Sequence, residues 1–353
     1  GEKCLQPDSN IRTAQIAALL SRNAIIQVEN AIKKYPVNTG KFTFRRDFRL
    51  ALDGVSIEIG KGEILGLVGE SGSGKTTLGM ALLGLIQIDG GSIYFEGRDV
   101  KKLRGKEKLE FVTKTQMIFQ DPYESLNPLR SVYDSVLSPL TVSQKDMKYG
   151  ERVDAVCSAL ERAGLYPPES FLAKYPQQLS GGQRQRVGIA RAIISNPSFV
   201  VADEPVSMLD MSLRAEILNL LADISRKDGL SMVFISHDMV VTKYISQRIA
   251  VLYMGQLVEL AASSELVKNP LHPYTQILIK SVPLLESDSD TFDTVVEYDS
   301  DTINRGENAC AFRANCPHVM DVCRSRRPPV QEISTDHFVA CFLYSDSAKV
   351  SKS

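Results

Sequence analysis

No apolar stretch in this 353-residue chain reaches the ~18 positions that a membrane-spanning helix needs. The most apolar pieces, such as Ile64–Val68 and Phe199–Ala202, are short and read as buried strands. The start of the chain lacks the signal-peptide pattern of a charged start followed by a long apolar run. A basic excess is also missing: 41 Lys and Arg stand against 42 Asp and Glu, which leaves a net charge of −1 and no electrostatic footprint for nucleic acid. No internal repeat is visible. These absences lead us to expect a soluble, cytoplasmic protein, with any membrane role exercised through partners. The 43% hydrophobic and 24% charged content is ordinary for a folded globular protein. At ~150 residues per domain the length favours two domains.

Residues 1–24 read as an extension that includes a short helical stretch, Ile11–Leu20. From Ile25 onwards strands are expected at Ile25–Val28, Val55–Ile59, Glu63–Val68, Ser92–Phe95 and Lys114–Phe119, with a helix at Thr76–Leu85. A helical period runs from about Asp121 to Ser195. Strands at Phe199–Ala202, Ser231–Ser236 and Ile249–Met254 then alternate with helices at Leu213–Lys227 and Val240–Ile245. Strands alternating with helices predict a parallel or mixed sheet with helices on both faces, here carrying an all-helical insert. Residues 284–308 are rich in Asp and Glu and read as a solvated linker. The segment after it is too short for much of a core of its own.

Three motifs carry chemistry. Gly69-Glu-Ser-Gly-Ser-Gly-Lys-Thr76 matches the phosphate-loop pattern GxxxxGK[ST], between an expected strand and an expected helix. Its glycines let the backbone turn its N–H groups towards phosphate oxygens, and the helix adds a positive N-terminal end. Lys75 can reach the terminal phosphates and the Thr76 hydroxyl can ligate Mg²⁺. Second, the strand Phe199–Ala202 ends in Asp203 and Glu204. Strand C-termini line the ligand crevice of such sheets, so Asp203 is placed to hold Mg²⁺ and Glu204 to polarise an attacking water. Third, Leu179-Ser-Gly-Gly-Gln183 precedes a helix and forms a second small anion-binding turn. One phosphate-loop ATPase does not need a second phosphate grip, whereas a dimer does.

The stretch Leu179–Ala192, LSGGQRQRVGIARA, resembles the signature of ATP-binding-cassette proteins. That resemblance implies a P-loop NTPase (RecA-like) α/β core with an antiparallel β part and a helical subdomain at about 121–195. It also implies ATP and Mg²⁺ as ligands. Under it, Gly69, Glu70, Ser71, Gly72, Ser73, Gly74, Lys75, Thr76 and Thr77 hold one nucleotide, while Ser180, Gly181, Gly182, Gln183 and Asp210 serve the composite site. Gln120 resembles the glutamine that contacts Mg²⁺ and the attacking water, and His237 the switch histidine at the γ-phosphate. Ser207–Asp210 resembles the loop that crosses the dimer interface, with Met208 where alanine is more usual. Tyr35 sits where an aromatic stacks on adenine, with Phe42 and Phe44 as alternatives. Thr76, Gln120 and Asp203 make up the implied Mg²⁺ set, and Glu204, His237 and Gln120 the catalytic set.

Two further stretches, Gln120–Pro128 (QDPYESLNP) and Asn269–Thr275 (NPLHPYT), resemble dipeptide/oligopeptide importer ATPases of the F type. This narrower likeness implies a nucleotide-binding domain over 25–270 and a small C-terminal Cys-rich domain over 271–353. It implies a D-type ATPase as heterodimer partner, two membrane permease subunits and an extracytoplasmic solute-binding protein, with the chain peripheral on the cytoplasmic membrane face. The cargo implied is peptide, with oligosaccharide or nickel as alternatives. Cys4 and Cys157 are isolated, whereas Cys310, Cys316, Cys323 and Cys341 cluster. Four soft thiols suit an Fe–S cluster or tetrahedral Zn²⁺, at spacings wider than the CxxC pairs of zinc ribbons. The family likeness implies a structural [4Fe–4S] cluster; Zn²⁺ and unligated thiols are the alternatives. His318 and His337 nearby read as structural. A DNA- or ribosome-directed cassette ATPase would tend to carry coiled-coil inserts or tandem cassettes, and an exporter cassette is usually fused to membrane spans. This sequence has none of these features.

Overall fold

A computed structural model describes residues 24–37, 47–121, 126–143, 146–280 and 308–345. The expected helix Ile11–Leu20, the alternative aromatics Phe42 and Phe44, residues 122–125 of the QDPYESLNP stretch and nearly all of the acidic stretch lie outside the described residues.

The centre is an eight-stranded mixed sheet. Strands β3 (Ile64–Val68), β6 (Thr115–Ile118), β7 (Phe199–Asp203), β8 (Ser231–Ser236) and β9 (Arg248–Tyr253) run parallel in the order β9-β3-β8-β7-β6. Every residue of β3, β7 and β8 is buried, as expected of parallel strands covered on both faces. Alternate residues feed two cores. Val201, Val233 and Ile235 face one, shared with an antiparallel sheet built on β1 (Ala24–Val37), β2 (Asp47–Gly60) and β4 (Gly90–Phe95). Val200, Ala202, Met232 and Phe234 face the other, shared with the helices Val132–Ser143, Tyr149–Arg162 and Gly181–Ile193.

Several boundaries move for local reasons. The helix after the phosphate loop is Lys75–Leu82, not Thr76–Leu85; Leu83 caps it and Gly84 follows with φ 61°. The helix Met211–Asp228 begins on Asp210, whose carboxylate accepts the Leu213 N–H, and ends at Gly229 in the left-handed conformation. β1 and β2 reach 14 residues each, longer than the apolar alternation suggested, because register shifts between Val28 and Ala31 break the period-two pattern. Gly105–Lys114 is a helix that the pattern did not show, since Phe111 is its one buried residue.

The C-terminal segment, expected to be too short for much of a core of its own, packs on the rest of the chain. Its strand β12 (His337–Val339) pairs with β10 (Gln256–Ala262) through Glu259↔Val339 and Leu260↔Phe338, so the described part completes the main sheet. Arg327 pairs with Asp53 at 3.2 Å and ties the segment to β2 as well. Cys310, Phe312, Cys323 and Phe342 share one apolar cluster with Val68, Tyr253 and Tyr274. A short segment can therefore fold here on a borrowed core.

A buried carboxylate anchors this junction. Glu259, 1% exposed, accepts the N–H groups of Leu271 (2.8 Å) and His272 (2.9 Å) and pairs with His337 Nε2 (2.8 Å). His272 accepts the Tyr274 N–H on Nδ1 at 3.1 Å. Burial pushes the His272 pKa down to about 4, with Glu259 opposing. Unfolding frees this ring to titrate near 6.5, so the unfolded chain binds the extra proton between the two values and stability falls as pH drops through that window. Between pH 7 and pH 5 this one ring is predicted to remove about 2 kcal/mol of unfolding free energy. Urea denaturation at both pH values should show a correspondingly smaller drop for His272→Gln; equal drops would contradict a buried neutral ring.

Candidate active site

The sheet order sets the site. β3, β8, β7 and β6 are neighbours and parallel, so the residues following their C-terminal ends meet along one rim. The phosphate loop leaves Val68, Asp203 and Glu204 end β7, His237 follows Ser236 and Gln120 follows β6 by two residues.

The loop needs glycine at two positions above all. Gly69 has φ 155°, and a Cβ there would lie 2.2 Å from the Leu252 carbonyl oxygen; Gly74 has φ 104°, and its Cβ would lie 2.4 Å from the Ala51 carbonyl. Lys75 is 6% exposed and its ammonium donates to the Gly69 carbonyl at 2.6 Å and the Glu70 carbonyl at 2.9 Å. Burial pulls its pKa below the ordinary lysine value, while Glu204, Asp203 and Glu70 oppose that shift. Desolvation by burial raises the Glu70 pKa, against the pull of Lys75.

Thr76 Oγ1 donates to Asp203 Oδ1 at 3.2 Å. Asp203 is 5% exposed; burial raises its pKa, the Thr76 hydrogen bond lowers it and the neighbouring Glu204 raises it again. A buried carboxylate beside a hydroxyl, unpaired with any cation at ion-pair distance among the described residues, is a donor set that fits Mg²⁺.

Glu204 is held from both sides. Gln120 Nε2 donates to its Oε2 at 3.2 Å, and His237 Nδ1 lies 3.1 Å from its Oε1. Its own backbone has φ 43°, and its N–H donates to the Ile235 carbonyl at 2.9 Å. That positive-φ turn at the strand end leaves the carboxylate between Gln120, which follows β6, and His237, which follows β8. Lys75, Thr76, Asp203, Glu204, Gln120 and His237 thus form one constellation.

The remaining candidate residues stand elsewhere. Ser180 caps the helix Gly181–Ile193: its Oγ accepts the Gln183 N–H at 3.2 Å, and Gln183 Oε1 accepts the Ser180 N–H at 3.1 Å. Ser180 is exposed, and among the described residues no hydrogen bond joins this turn to the loop Gly69–Thr77. Asp210 serves as a helix cap, with its pKa lowered chiefly by the Leu213 N–H and next by the Ser212 hydroxyl. Tyr35 lies on β1, 38% exposed, with the Lys33 ammonium 5.4 Å from its ring centre. A cavity of about 390 Å³ lies between Ile86, Ile93, Leu103 and Lys108, and none of the constellation lines it.

The four cysteines of the C-terminal segment are free thiols, three buried and Cys316 partly so. Cys341 feels the charge of Cys310, Cys316 and Cys323, so all four share one neighbourhood. Burial pushes Cys310 up to about 11 and Cys341 up to about 12. Among the described residues no group of three or more His, Cys, Asp or Glu side chains stands in a metal-holding arrangement. The donors fit a thiophilic group in kind, while their present separation does not form a ligand shell.

One contact was not read from the sequence: the Glu70 N–H donates to the Tyr274 hydroxyl at 3.0 Å. The NPLHPYT stretch was visible as a family mark without a role, because nothing in its spacing tells of a loop 204 residues away.

A rim of strand ends carrying a phosphate loop, an acid pair and a glutamine–histidine clamp defines a P-loop nucleotide-hydrolysing cassette. Residues 52–207 match the family described as ABC transporter, and residues 258–323 match the oligopeptide/dipeptide transporter C-terminal region. A putative oligopeptide transport ATP-binding protein of Bacillus subtilis is 44% identical over 84% of this chain and 90% of its own length. A second oligopeptide transport ATP-binding protein of that organism is 39% identical over 92% and 99%. A putative peptide import ATP-binding protein of Brucella ovis is 42% identical over 82% and 90%. Among solved structures, the ATP-binding cassette MJ0796, as a dimer in a post-hydrolysis state with ADP and phosphate, matches at TM-score 0.60 and 30% identity, covering 67% of this chain and 98% of that one. The chain belongs to the oligopeptide/dipeptide transporter family of ATP-binding-cassette ATPases. No helix among the described residues is long and apolar enough to cross a membrane.

Proposed function

We propose that this chain is the F-type ATP-hydrolysing subunit of a peptide importer, and that Glu204 polarises the attacking water. The observation that carries this is the clamp on Glu204, between Gln120 and His237 and across from the loop of Lys75. The loop amides and Lys75 bind the phosphates. Thr76, Asp203 and Gln120 would hold Mg²⁺, which when bound would offset phosphate charge. Glu204 orients water in line with the γ-phosphate, and His237 steadies both. Positioning and electrostatics supply most of the acceleration.

The site is read as half of a composite. The Ser180–Gln183 turn, whose Ser180 is exposed, serves the nucleotide of a D-type partner ATPase, and Asp210 lies beside the same interface. Met208 (63% exposed) and Met211 (80%) flank Asp210 as apolar surface suited to that contact. Leu129 and Tyr175 in the helical insert, exposed at 85% and 45%, and Phe119 beside Gln120 in the chain, exposed at 43%, are apolar side chains suited to a permease helix. Two permeases and an extracytoplasmic solute-binding protein complete the assembly, with this chain peripheral on the cytoplasmic face. Peptide as cargo rests on the names of the relatives. Tyr35 is assigned to the adenine. Residues 25–270 are taken as the nucleotide-binding unit, and the thiol neighbourhood as the seat of a structural [4Fe–4S] cluster.

In the assembled transporter, Glu204→Gln should retain MgATP binding while turnover falls by roughly 10²-fold or more. Normal turnover by that variant would remove Glu204 from the role. For the thiols, protein purified without oxygen should be brown with broad visible absorption; a colourless protein containing zinc would replace the cluster with Zn²⁺.

A further inference from the structure

The phosphate loop is braced from outside its own strand and helix by two contacts. The Gly255 N–H donates to the Ser73 carbonyl at 2.8 Å, and the Tyr274 hydroxyl accepts the Glu70 N–H at 3.0 Å. The second contact is chemically particular. The Glu70 N–H and the Gly69 carbonyl belong to one planar peptide unit, and the Gly69 carbonyl accepts from the Lys75 ammonium at 2.6 Å. In a trans peptide the two groups point in opposite directions. Lys75, the Gly69–Glu70 peptide and Tyr274 therefore form a single hydrogen-bonded line, in which each bond polarises the next. Turning that peptide to satisfy a different partner would move the carbonyl that holds Lys75.

Tyr274 is itself held rigidly. It is 0% exposed, and its ring centre lies 4.6 Å from Tyr253 and 5.6 Å from Phe312. Its N–H donates to His272 Nδ1, and the His272 N–H is fixed by buried Glu259. Phe312, 1% exposed, also packs edge-on against Tyr253 at 5.2 Å and sits between Cys310 and Cys316 in the chain. One aromatic step separates the thiol-bearing segment from the phosphate loop.

We infer that Tyr274 is a positioning residue for nucleotide binding: its hydroxyl orients the Gly69–Glu70 peptide, and through it Lys75, while Phe312 ties that orientation to the packing of the thiol segment. The His-Pro-Tyr stretch thereby acquires a role inside the phosphate site. Rearrangement of the segment around Cys310, Cys316 and Cys323 is felt at Lys75 with no direct contact between the two.

This rests on the reading of Gly69–Thr76 as the phosphate site, and the test separates the two. In the full chain without nucleotide, Tyr274→Phe deletes only the hydroxyl. Amide exchange at Glu70 is expected to quicken about threefold to tenfold, the scale of one neutral hydrogen bond, with the β8 amides Met232–Ser236 unchanged. MgATP affinity should weaken by a similar factor, and in the assembled transporter KM for ATP should rise more than kcat falls. Phe312→Leu should produce the same pattern with smaller amplitude. Unchanged exchange at Glu70 in Tyr274→Phe overturns the inference, and so does equal quickening in β8, which would mean general loosening. Unchanged exchange in Phe312→Leu removes the link to the thiol segment. Faster exchange at Glu70 with no MgATP binding to either wild type or variant would leave the brace standing and overturn the phosphate-site reading instead.

Discussion

The buried side chain of Lys75 organises the nucleotide site. Lys75 is 6% exposed, and taking its charge out of water costs several kcal/mol unless donors and counter-charges replace the lost hydration. Two loop carbonyls supply the hydrogen bonds, and the carboxylates of Glu204, Asp203 and Glu70 supply the field. Those groups come from separate parts of the chain, so the loop, β7 and the strands between them must be in register before Lys75 can be buried. The pairing of Asp203 with Ile235 and of Val68 with Ser236 provides that register.

The same arrangement explains why the site is an open rim and not an enclosed pocket. Parallel strands deliver their following loops to one edge, where backbone N–H groups and short side chains can surround a polyanion from one side. Glu204 leaves β7 with a positive φ and meets Gln120 and His237 on the strands flanking its own, so three neighbouring strand ends fix one carboxylate. Among the described residues the turn at Ser180 makes no hydrogen bond to this loop, so nothing in the chain's own fold closes the rim from that side.

Much of this was legible in the sequence because the residues concerned are constrained locally. The glycines of the loop, the apolar run Phe199–Ala202 ending in two acids and the Ser-Gly-Gly turn before the helix Gly181–Ile193 each declare themselves within a few positions. Contacts between distant segments did not. The helix Gly105–Lys114 buries one side chain, so it carries no apolar stripe to find. The C-terminal segment looked too short for much of a core of its own, and the residues that complete its core, Val68, Tyr253 and Tyr274 among them, lie before it in the chain. Glu259 drew no reading from the sequence, yet it is the buried acceptor for three donors. In each case the missing information is which face another element covers, and period and composition do not encode it.

Equilibrium binding of MgATP to the wild-type chain and to Lys75→Ala tests the central role of that ammonium most directly. The variant is predicted to lose at least about tenfold in affinity, the scale of a charge-assisted contact to phosphate, while the strand core, read by amide exchange in β8, stays protected. Equal affinity in the two proteins would contradict Gly69–Thr76 as the place where ATP is held.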